Sequence, residues 1–170
     1  HGDFRQFKTG DKVQIKDISF EPTHVEHSVP GAYGFIIDTS SGPVVYTGDL
    51  RMHGPRSDMT RDFIAKAAKS KPHALLIEGT NMGKDVEHSY TEAEVEQKVD
   101  SIVSGANGTV FAYFPLTNVD RFMTMYKTAV KNNRVLVIDL YLAFYINNVR
   151  DKLPIFPDIM TDANIGVYFP

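Results

Sequence analysis

The 170-residue sequence contains no cysteine, no long apolar run and no excess of positive charge. Without cysteine the chain can form neither disulfides nor thiolate metal sites, which is compatible with a cytoplasmic location. The longest apolar stretch, residues 135–146, is too short to span a membrane, and the N-terminal residues lack the pattern of a signal peptide. A net charge of −3 does not indicate a general nucleic-acid binder, so a nucleic-acid substrate would need a local basic groove.

Several common catalytic signatures are also missing from the sequence. It has no Gly-rich phosphate loop, no Gly-x-Ser-x-Gly elbow and no Cys/His zinc spacing. The composition, with 42% hydrophobic and 23% charged residues, is that of a globular chain long enough for one domain or two small lobes. The potential metal ligands are concentrated at predicted strand ends between residues 22 and 54.

The first half of the chain is rich in predicted strands. Pro22 either ends the second strand or places it at a sheet edge, and Ser-Ser-Gly-Pro at 40–43 predicts a hairpin turn between two β-rich runs. Hydrophobic periodicity predicts strands at 11–16, 18–21, 33–39, 44–47 and 74–77, and a helix at 59–71.

The second half of the chain alternates between strand and helix patterns. Thr91 begins a capping box with Glu94, and Asn118 is a second helix cap. This alternation predicts a parallel sheet covered by helices, with a boundary between the halves near 84–89. The predicted elements are helices at 91–104, 118–132 and 140–149, strands at 109–114 and 134–138, and an irregular tail at 151–170.

Three residues at strand ends are candidates for chemistry. His27 follows a strand, where a neutral imidazole could bind zinc or manganese, although a hydrogen-bonded loop histidine is the alternative. Asp49 follows an apolar strand and Gly48, and is either a metal-binding carboxylate or an ordinary turn aspartate. Glu78 ends the next apolar strand, at the edge where open α/β sheets place functional groups, but an apolar strand must also end in a polar residue.

Polar neighbours of these residues are candidates for substrate contacts. Arg51 and His53 lie in the loop that contains Asp49 and could contact a phosphate, and Thr80 and Asn81 follow Glu78. Each of the four could also be an ordinary surface residue. His24 does not extend the set, because three-residue spacing along a strand places it on the face opposite to His27.

The segments HSVPGAYGFII, GPVVYTGDLRMHG and ALLIEGTN together resemble the metallo-β-lactamase fold, specifically its β-CASP branch of RNase J-like and cleavage-and-polyadenylation-type nucleases. The resemblance implies that His27 is a metal ligand, that Asp49 bridges two metal ions, and that Glu78 is the acidic residue that opens the β-CASP region. It also implies two zinc ions, with manganese as an alternative, a metal-activated water as the nucleophile and an RNA substrate. Asp49 and Glu78 are then the catalytic residues.

The chain departs from the family pattern in its histidines. It has no His-x-His-x-Asp-His motif, and no histidine follows His88. We therefore interpret it as an α/β chain in which 1–86 is the second half of a metallo-β-lactamase αββα lobe and 87–170 is the first part of a β-CASP-like parallel β/α lobe. A catalytic zinc site has three protein ligands, so the chain alone is expected to bind metal weakly and not to hydrolyse RNA.

Two other functional classes stay open from the sequence. The chain could be a non-catalytic module that binds RNA or protein, or a metallo-hydrolase of a small substrate, against which Glu-Gly-Thr-Asn and the appended β/α region argue. Half of a sandwich would leave one sheet face exposed. The expected partners are therefore RNA through the complete enzyme, and a second copy or the missing half of the sandwich. A membrane partner is not expected.

Overall fold

The computed structural model describes residues 4–83 and 89–169, which divide between Ser89 and Tyr90 into two compact units. Within these residues the fold is mixed α/β, with four helices, a five-stranded sheet and a two-stranded sheet. The predicted α/β class is confirmed. The predicted boundary between 86 and 87 lies outside the described residues, and the assignment of the units to metallo-β-lactamase and β-CASP lobes stays a prediction.

The first unit contains the five-stranded sheet, in the order β1-β2-β3-β4-β5, and helix α1. The first three strand pairs are antiparallel, whereas β4 and β5 are parallel and are connected through α1. Strands β2, β4 and β5 therefore run in the same direction, and their carboxyl ends meet at one edge of the sheet. The elements are β1 (Val13–Ile15), β2 (Ile18–His24), β3 (Tyr33–Asp38), β4 (Val44–Tyr46), α1 (Ser57–Ser70) and β5 (Ala74–Leu76).

Helix α1 covers one face of this sheet. Its Phe63 is buried against Ile36 of β3 and Val45 of β4, together with Val25. Gly34 makes this packing possible, because a Cβ atom at position 34 would lie 2.5 Å from the Phe63 ring. The core of the first unit is therefore a small cluster of side chains packed between α1 and the middle of the sheet.

Pro22 lies inside β2, so the strand continues to His24 rather than ending at the proline. The Pro22 carbonyl accepts a hydrogen bond from the Gly10 amide at 3.3 Å, on the side away from β3. The amide nitrogen of a strand residue points to the same side as its carbonyl, so the proline removes no hydrogen bond from the β2–β3 ladder. The part of β2 that extends past its pairing with β1 is therefore a sheet edge on this side. Of the two predicted alternatives for Pro22, a strand end or a sheet edge, the sheet edge is confirmed.

The predicted hairpin at 40–43 is confirmed. Strands β3 and β4 pair antiparallel, with Ile37 opposite Val44. The Thr39 hydroxyl donates to the Gly42 carbonyl at 2.7 Å, and Gly42 has a φ of 114°, which glycine adopts readily. The turn therefore forms where its local chemistry indicates.

The second unit packs three helices with a two-stranded parallel sheet. Its core contains Phe122 and Ile146, both fully buried. The predicted capping box is confirmed, since the Thr91 hydroxyl accepts from the Glu94 amide and the Glu94 carboxylate accepts from the Thr91 amide. The elements are α2 (Glu92–Gly105), α3 (Val119–Lys131), β6 (Leu136–Asp139), α4 (Leu140–Arg150) and β7 (Ile165–Tyr168).

Two predictions for the second unit are wrong. Residues 109–114 form no strand, and the side chains of Phe111 and Tyr113 are almost fully exposed. The described residues provide no strand beside this segment, and an unpaired backbone cannot form a ladder. The tail, predicted as irregular, contains β7, because Ile165 and Val167 pack on the core while the backbone pairs with β6. The predicted covered parallel sheet is here a single β-α-β unit.

Among residues 4–83 and 89–169, no helix combines the length and the apolar character needed to cross a membrane.

Candidate functional site

The sheet of the first unit collects the predicted site residues at one edge. His27 lies three residues after the end of β2, Asp49 three residues after β4, and Glu78 two residues after β5. Because these three strands are co-directional, the loops that follow them all emerge at their carboxyl ends. Asp49 is exposed, whereas His27 and Glu78 are half-buried.

Thr47 holds the loops after β4 and β5 together. Its amide donates to the Leu76 carbonyl at 3.0 Å, and its hydroxyl accepts from the Glu78 amide at 3.4 Å. The parallel pairing thus continues past the last strand residues, and it places the start of the Asp49 loop beside the start of the Glu78 loop.

Gly48 allows the Asp49 loop to turn against the beginning of β3. Its φ is 57°, in the left-handed region, and a Cβ atom at this position would lie 2.5 Å from the Tyr33 carbonyl oxygen. Both the backbone conformation and the contact require glycine here. Thr47 and Gly48 of the Thr-Gly-Asp sequence therefore have local structural reasons that are independent of any metal.

The Glu78 carboxylate is engaged within its own turn. Its Oε2 atom accepts a hydrogen bond from the Thr80 amide at 2.8 Å. The side chains of Thr80 and Asn81 are exposed next to it, so a hydroxyl, an amide and a carboxylate lie together at this end of the sheet. Hydroxyl and amide groups of this kind are common donors to phosphate oxygens.

Glu26 is a site residue that sequence reasoning missed. Its side chain is only 3% exposed, and its Oε1 atom accepts from Arg51 Nε at 2.7 Å, with the Arg51 side chain 10% exposed. The Gly54 amide donates to the other oxygen at 3.1 Å. The signal was weak, because the partners are separated by about 25 residues in the sequence and only the folded sheet brings them together.

The predicted substrate contacts differ in their surroundings. Arg51 is largely buried and paired with Glu26, whereas His53, two residues further on, is exposed. Their roles in substrate binding stay predictions.

A groove of about 500 Å³ lies between helix α1 and strand β2. His24 lies in this groove and stacks on Tyr33, with ring centroids 4.8 Å apart. Burial, and secondarily the charge of Arg56, lowers the pKa of His24. None of the predicted site residues lines this groove, so it is separate from the strand-end site. The lining residues are Thr9, Thr23, His24, Met59, Asp62, Ala65, Lys66 and Lys69.

The residues present do not make a complete metal site. Catalytic zinc takes three protein ligands. Across 4–83 and 89–169, no three histidine, aspartate or glutamate side chains are grouped so that they could hold a metal ion. His27 and Asp49 stay predicted ligands, and within the described part of the chain a third ligand does not join them.

Comparisons with known proteins link the chain to ribonucleases. No family model matches it. Ribonuclease J 2 of Streptococcus pyogenes serotype M3 is 30% identical over 134 residues, which cover 75% of this chain and 23% of that protein. Ribonuclease J of Sinorhizobium meliloti is 28% identical over 151 residues, covering 85% of this chain and 26% of that protein.

A solved structure shares the fold. The crystal structure of a protein of unknown function from Enterococcus faecalis V583 superposes with a TM-score of 0.73 at 23% identity, covering 98% of this chain and 41% of that one. This likeness concerns the fold alone. The chain spans about a quarter of the length of the curated relatives it matches, and its similarity to them over most of its own length supports a ribonuclease J-like relationship.

Proposed function

We propose that this chain supplies part of the active site of a ribonuclease J-like hydrolase that cleaves RNA phosphodiesters in the cytoplasm. The observation that carries the proposal is the convergence of β2, β4 and β5 at one sheet edge, where His27, Asp49 and Glu78 follow the three strands. This arrangement occurs in a chain similar to ribonuclease J over most of its length.

The proposed roles follow from the position and chemistry of each side chain. Exposed Asp49 and half-buried His27 serve as metal ligands, and Asp49 and Glu78 are the catalytic carboxylates. The metals of the complete enzyme, zinc or manganese, would activate water. Donors around the edge contact the phosphates of the RNA, which are acceptors of hydrogen bonds and carry negative charge. These donors are His53, Thr80 and Asn81, whereas Arg51, predicted as a fourth donor, is largely buried and paired with Glu26.

In this proposal the 170-residue chain holds only part of the metal site. Because no three potential ligands are grouped in its described residues, the chain by itself binds zinc or manganese weakly and leaves RNA intact. The remaining ligands come from outside this sequence, as its missing His-x-His-x-Asp-His motif indicates.

A chimera tests the proposal. The matching segment of Ribonuclease J 2 of Streptococcus pyogenes is replaced by this chain, and cleavage of a labelled single-stranded RNA is measured with zinc or manganese. We expect measurable cleavage by the chimera, because the chain restores the strand-end residues in the context of the full-length relative. His27→Ala and Asp49→Asn in the chimera should reduce cleavage to background.

His73→Ala is the matched control, since His73 is an exposed histidine of the same unit that lies before β5 rather than after a strand. This variant should cleave like the chimera. Circular dichroism and thermal melting identify chimeras that do not fold, and those are replaced by chimeras with shifted junctions. A folded chimera whose cleavage does not depend on His27 and Asp49 would contradict the assignment.

One observation favours a second candidate function. The lack of a three-ligand group among the described residues also fits a non-catalytic module that binds RNA. A folded chimera that binds the labelled RNA but does not cleave it with either metal would support this alternative.

A further inference from the structure

Glu26 is a buried charge that the strand-end chemistry does not use. A buried carboxylate is stable only when it is paired and hydrogen-bonded, and Glu26 meets both requirements through Arg51 Nε and the Gly54 amide. The loop after β2 therefore contributes the anion, and the loop after β4 contributes both partners.

The backbone of Glu26 joins the same two loops. Its carbonyl accepts from the Arg51 amide at 2.9 Å, and its amide donates to the Thr60 hydroxyl at 3.0 Å. That hydroxyl donates in turn to the Arg51 carbonyl at 3.0 Å. Main chain and side chain together fasten the two loops to each other and to helix α1.

Gly54 shows how closely the second loop encloses the carboxylate. A Cβ atom at position 54 would lie 1.7 Å from Glu26 Oε1 and 2.6 Å from the Arg51 guanidinium. Only glycine leaves the space that the ion pair occupies. The glycine, the arginine and the glutamate are thus three parts of one contact.

The contact lies next to the residues of the proposed site. His27 is adjacent to Glu26 in the sequence, Asp49 precedes Arg51 by two residues, and His53 precedes Gly54. The Glu26–Arg51 contact therefore joins the loop of His27 to the loop of Asp49.

We infer that Glu26 is a positioning residue, which acts through Arg51 and Gly54 to set the spacing between the His27 loop and the Asp49 loop. The functional meaning of this spacing rests on the proposed function, whereas the contact itself does not. Arg51 is in this view a partner of Glu26. Its Nε atom donates to the Glu26 carboxylate at 2.7 Å, a directed contact that the flexible ammonium of a lysine does not reproduce.

Amide hydrogen exchange and histidine NMR of the 170-residue chain test this inference. In Glu26→Gln we expect exchange at the hydrogen-bonded amides of Arg51 and Gly54 to rise by about tenfold or more, because the loops open locally without global unfolding. The ring ¹H–¹³C signals of His27 and His53 should shift or broaden. Arg51→Lys should give the same local pattern and keeps the inference testable if Glu26→Gln does not fold.

Two control variants separate positioning from general stability. Glu21→Gln removes the half-exposed ion pair between Glu21 of β2 and Lys66 of α1, and Val45→Ala weakens the core beside Phe63. Neither should affect the loop amides or the histidine rings selectively. An equal response of the loops in Val45→Ala, or no response in Glu26→Gln and Arg51→Lys, would overturn the inference.

The measurement uses neither RNA nor metal, so its outcome is independent of the chimera. A chimera without cleavage would contradict the proposed function and leave the positioning role of Glu26 intact. Unchanged amide exchange and unchanged histidine signals in Glu26→Gln and Arg51→Lys would contradict the positioning role of Glu26 and leave the proposed function intact.

Discussion

Three glycines of the first unit are required because a Cβ atom at their positions would overlap a neighbouring group. Gly34, Gly48 and Gly54 each face a group within 2.6 Å of the place where a Cβ atom would lie: an aromatic ring, a carbonyl oxygen and a carboxylate. Only one of the three, Gly48, also has a backbone conformation that favours glycine. Close approach, rather than a turn, is therefore the main reason for the other two glycines.

Gly34→Ala is expected to lower the free energy of unfolding of the first unit by about 1–3 kcal/mol, because the methyl group overpacks against the rigid Phe63 ring. Urea denaturation followed by circular dichroism measures the change. Gly108→Ala is the control, since nothing lies within 4 Å of its added methyl group, and it should leave stability unchanged or slightly higher. An equal loss in both variants would argue against the packing explanation.

Tyr126 provides a pH-dependent test in the second unit. Its hydroxyl donates to Asp162 at 2.6 Å, and this hydrogen bond, with burial and the carboxylate charge, raises the pKa of Tyr126 to about 12. Because this pKa lies above the value of about 10 in unfolded chains, the stabilising contribution is complete below about pH 10 and is lost as the pH rises toward 12.

Asp162→Asn should return the pKa of Tyr126 toward its ordinary value, measured by ¹³C NMR of the tyrosine Cζ atoms. Tyr145 is the internal control, because burial alone raises its pKa. If the titration of Tyr126 is unchanged in Asp162→Asn, or if Tyr145 shifts equally, the hydrogen bond is not the cause.

The sequence predicted single residues well where they follow a strand. Asp49 and Glu78 could be placed at strand ends because short apolar runs precede them, and His27 because it follows a strand predicted from an alternating pattern. Glu26 could not, because its environment depends on Arg51 and Gly54 in a loop that only the tertiary structure brings near. A buried ion pair between distant segments has no local sequence signal.

At the scale of elements, local sequence signals predict a helix start or a turn correctly where the packing of the unit agrees with them. The capping box at Thr91 and the hairpin at 40–43 satisfy their own backbone groups, so they form where the sequence indicates. Segment 109–114 has a strand-like sequence, but the described part of the chain provides no strand beside it. The short run of β7 becomes a strand because it pairs with β6. Strand formation depends on a partner, which composition does not reveal.

Thr91→Ala is expected to reduce the free energy of unfolding of the second unit by about 1 kcal/mol, because helix α2 loses its capping hydroxyl. Exposed Thr109, which lies outside every helix, is the matched site for the same substitution. Chemical denaturation of the two variants compares them. A cap without energetic importance would make their stabilities equal.

At the scale of the whole molecule, one face of the five-stranded sheet is exposed at β4 and β5, whereas Phe7 packs on it at Phe35. Phe35, Tyr46 and Leu76 are cross-strand neighbours on the face opposite to α1, and Tyr46 and Leu76 remain about half exposed. An apolar sheet face of this kind usually meets another surface, and the interpretation of the first unit as half of a sandwich stays a prediction.

We predict that the isolated chain self-associates through this face, in a manner that depends on its concentration. Sedimentation velocity should show the association in the wild type and its loss in Leu76→Lys, which places a charge on the open face. Ile64→Lys is the matched control, because Ile64 is equally exposed but belongs to α1. A monomer at all concentrations, or equal effects of the two lysines, would contradict the prediction.

In the proposed function, His27 belongs to a metal site that this chain does not complete. Calorimetric titration with zinc, and then with manganese, compares the 170-residue chain, the ribonuclease J chimera and the chimera with His27→Ala. We expect tight binding by the chimera alone, since only the chimera combines His27 and Asp49 with further ligands, and no third ligand is grouped with them among residues 4–83 and 89–169. Tight binding by the isolated chain, or equally tight binding by the His27→Ala chimera, would contradict it.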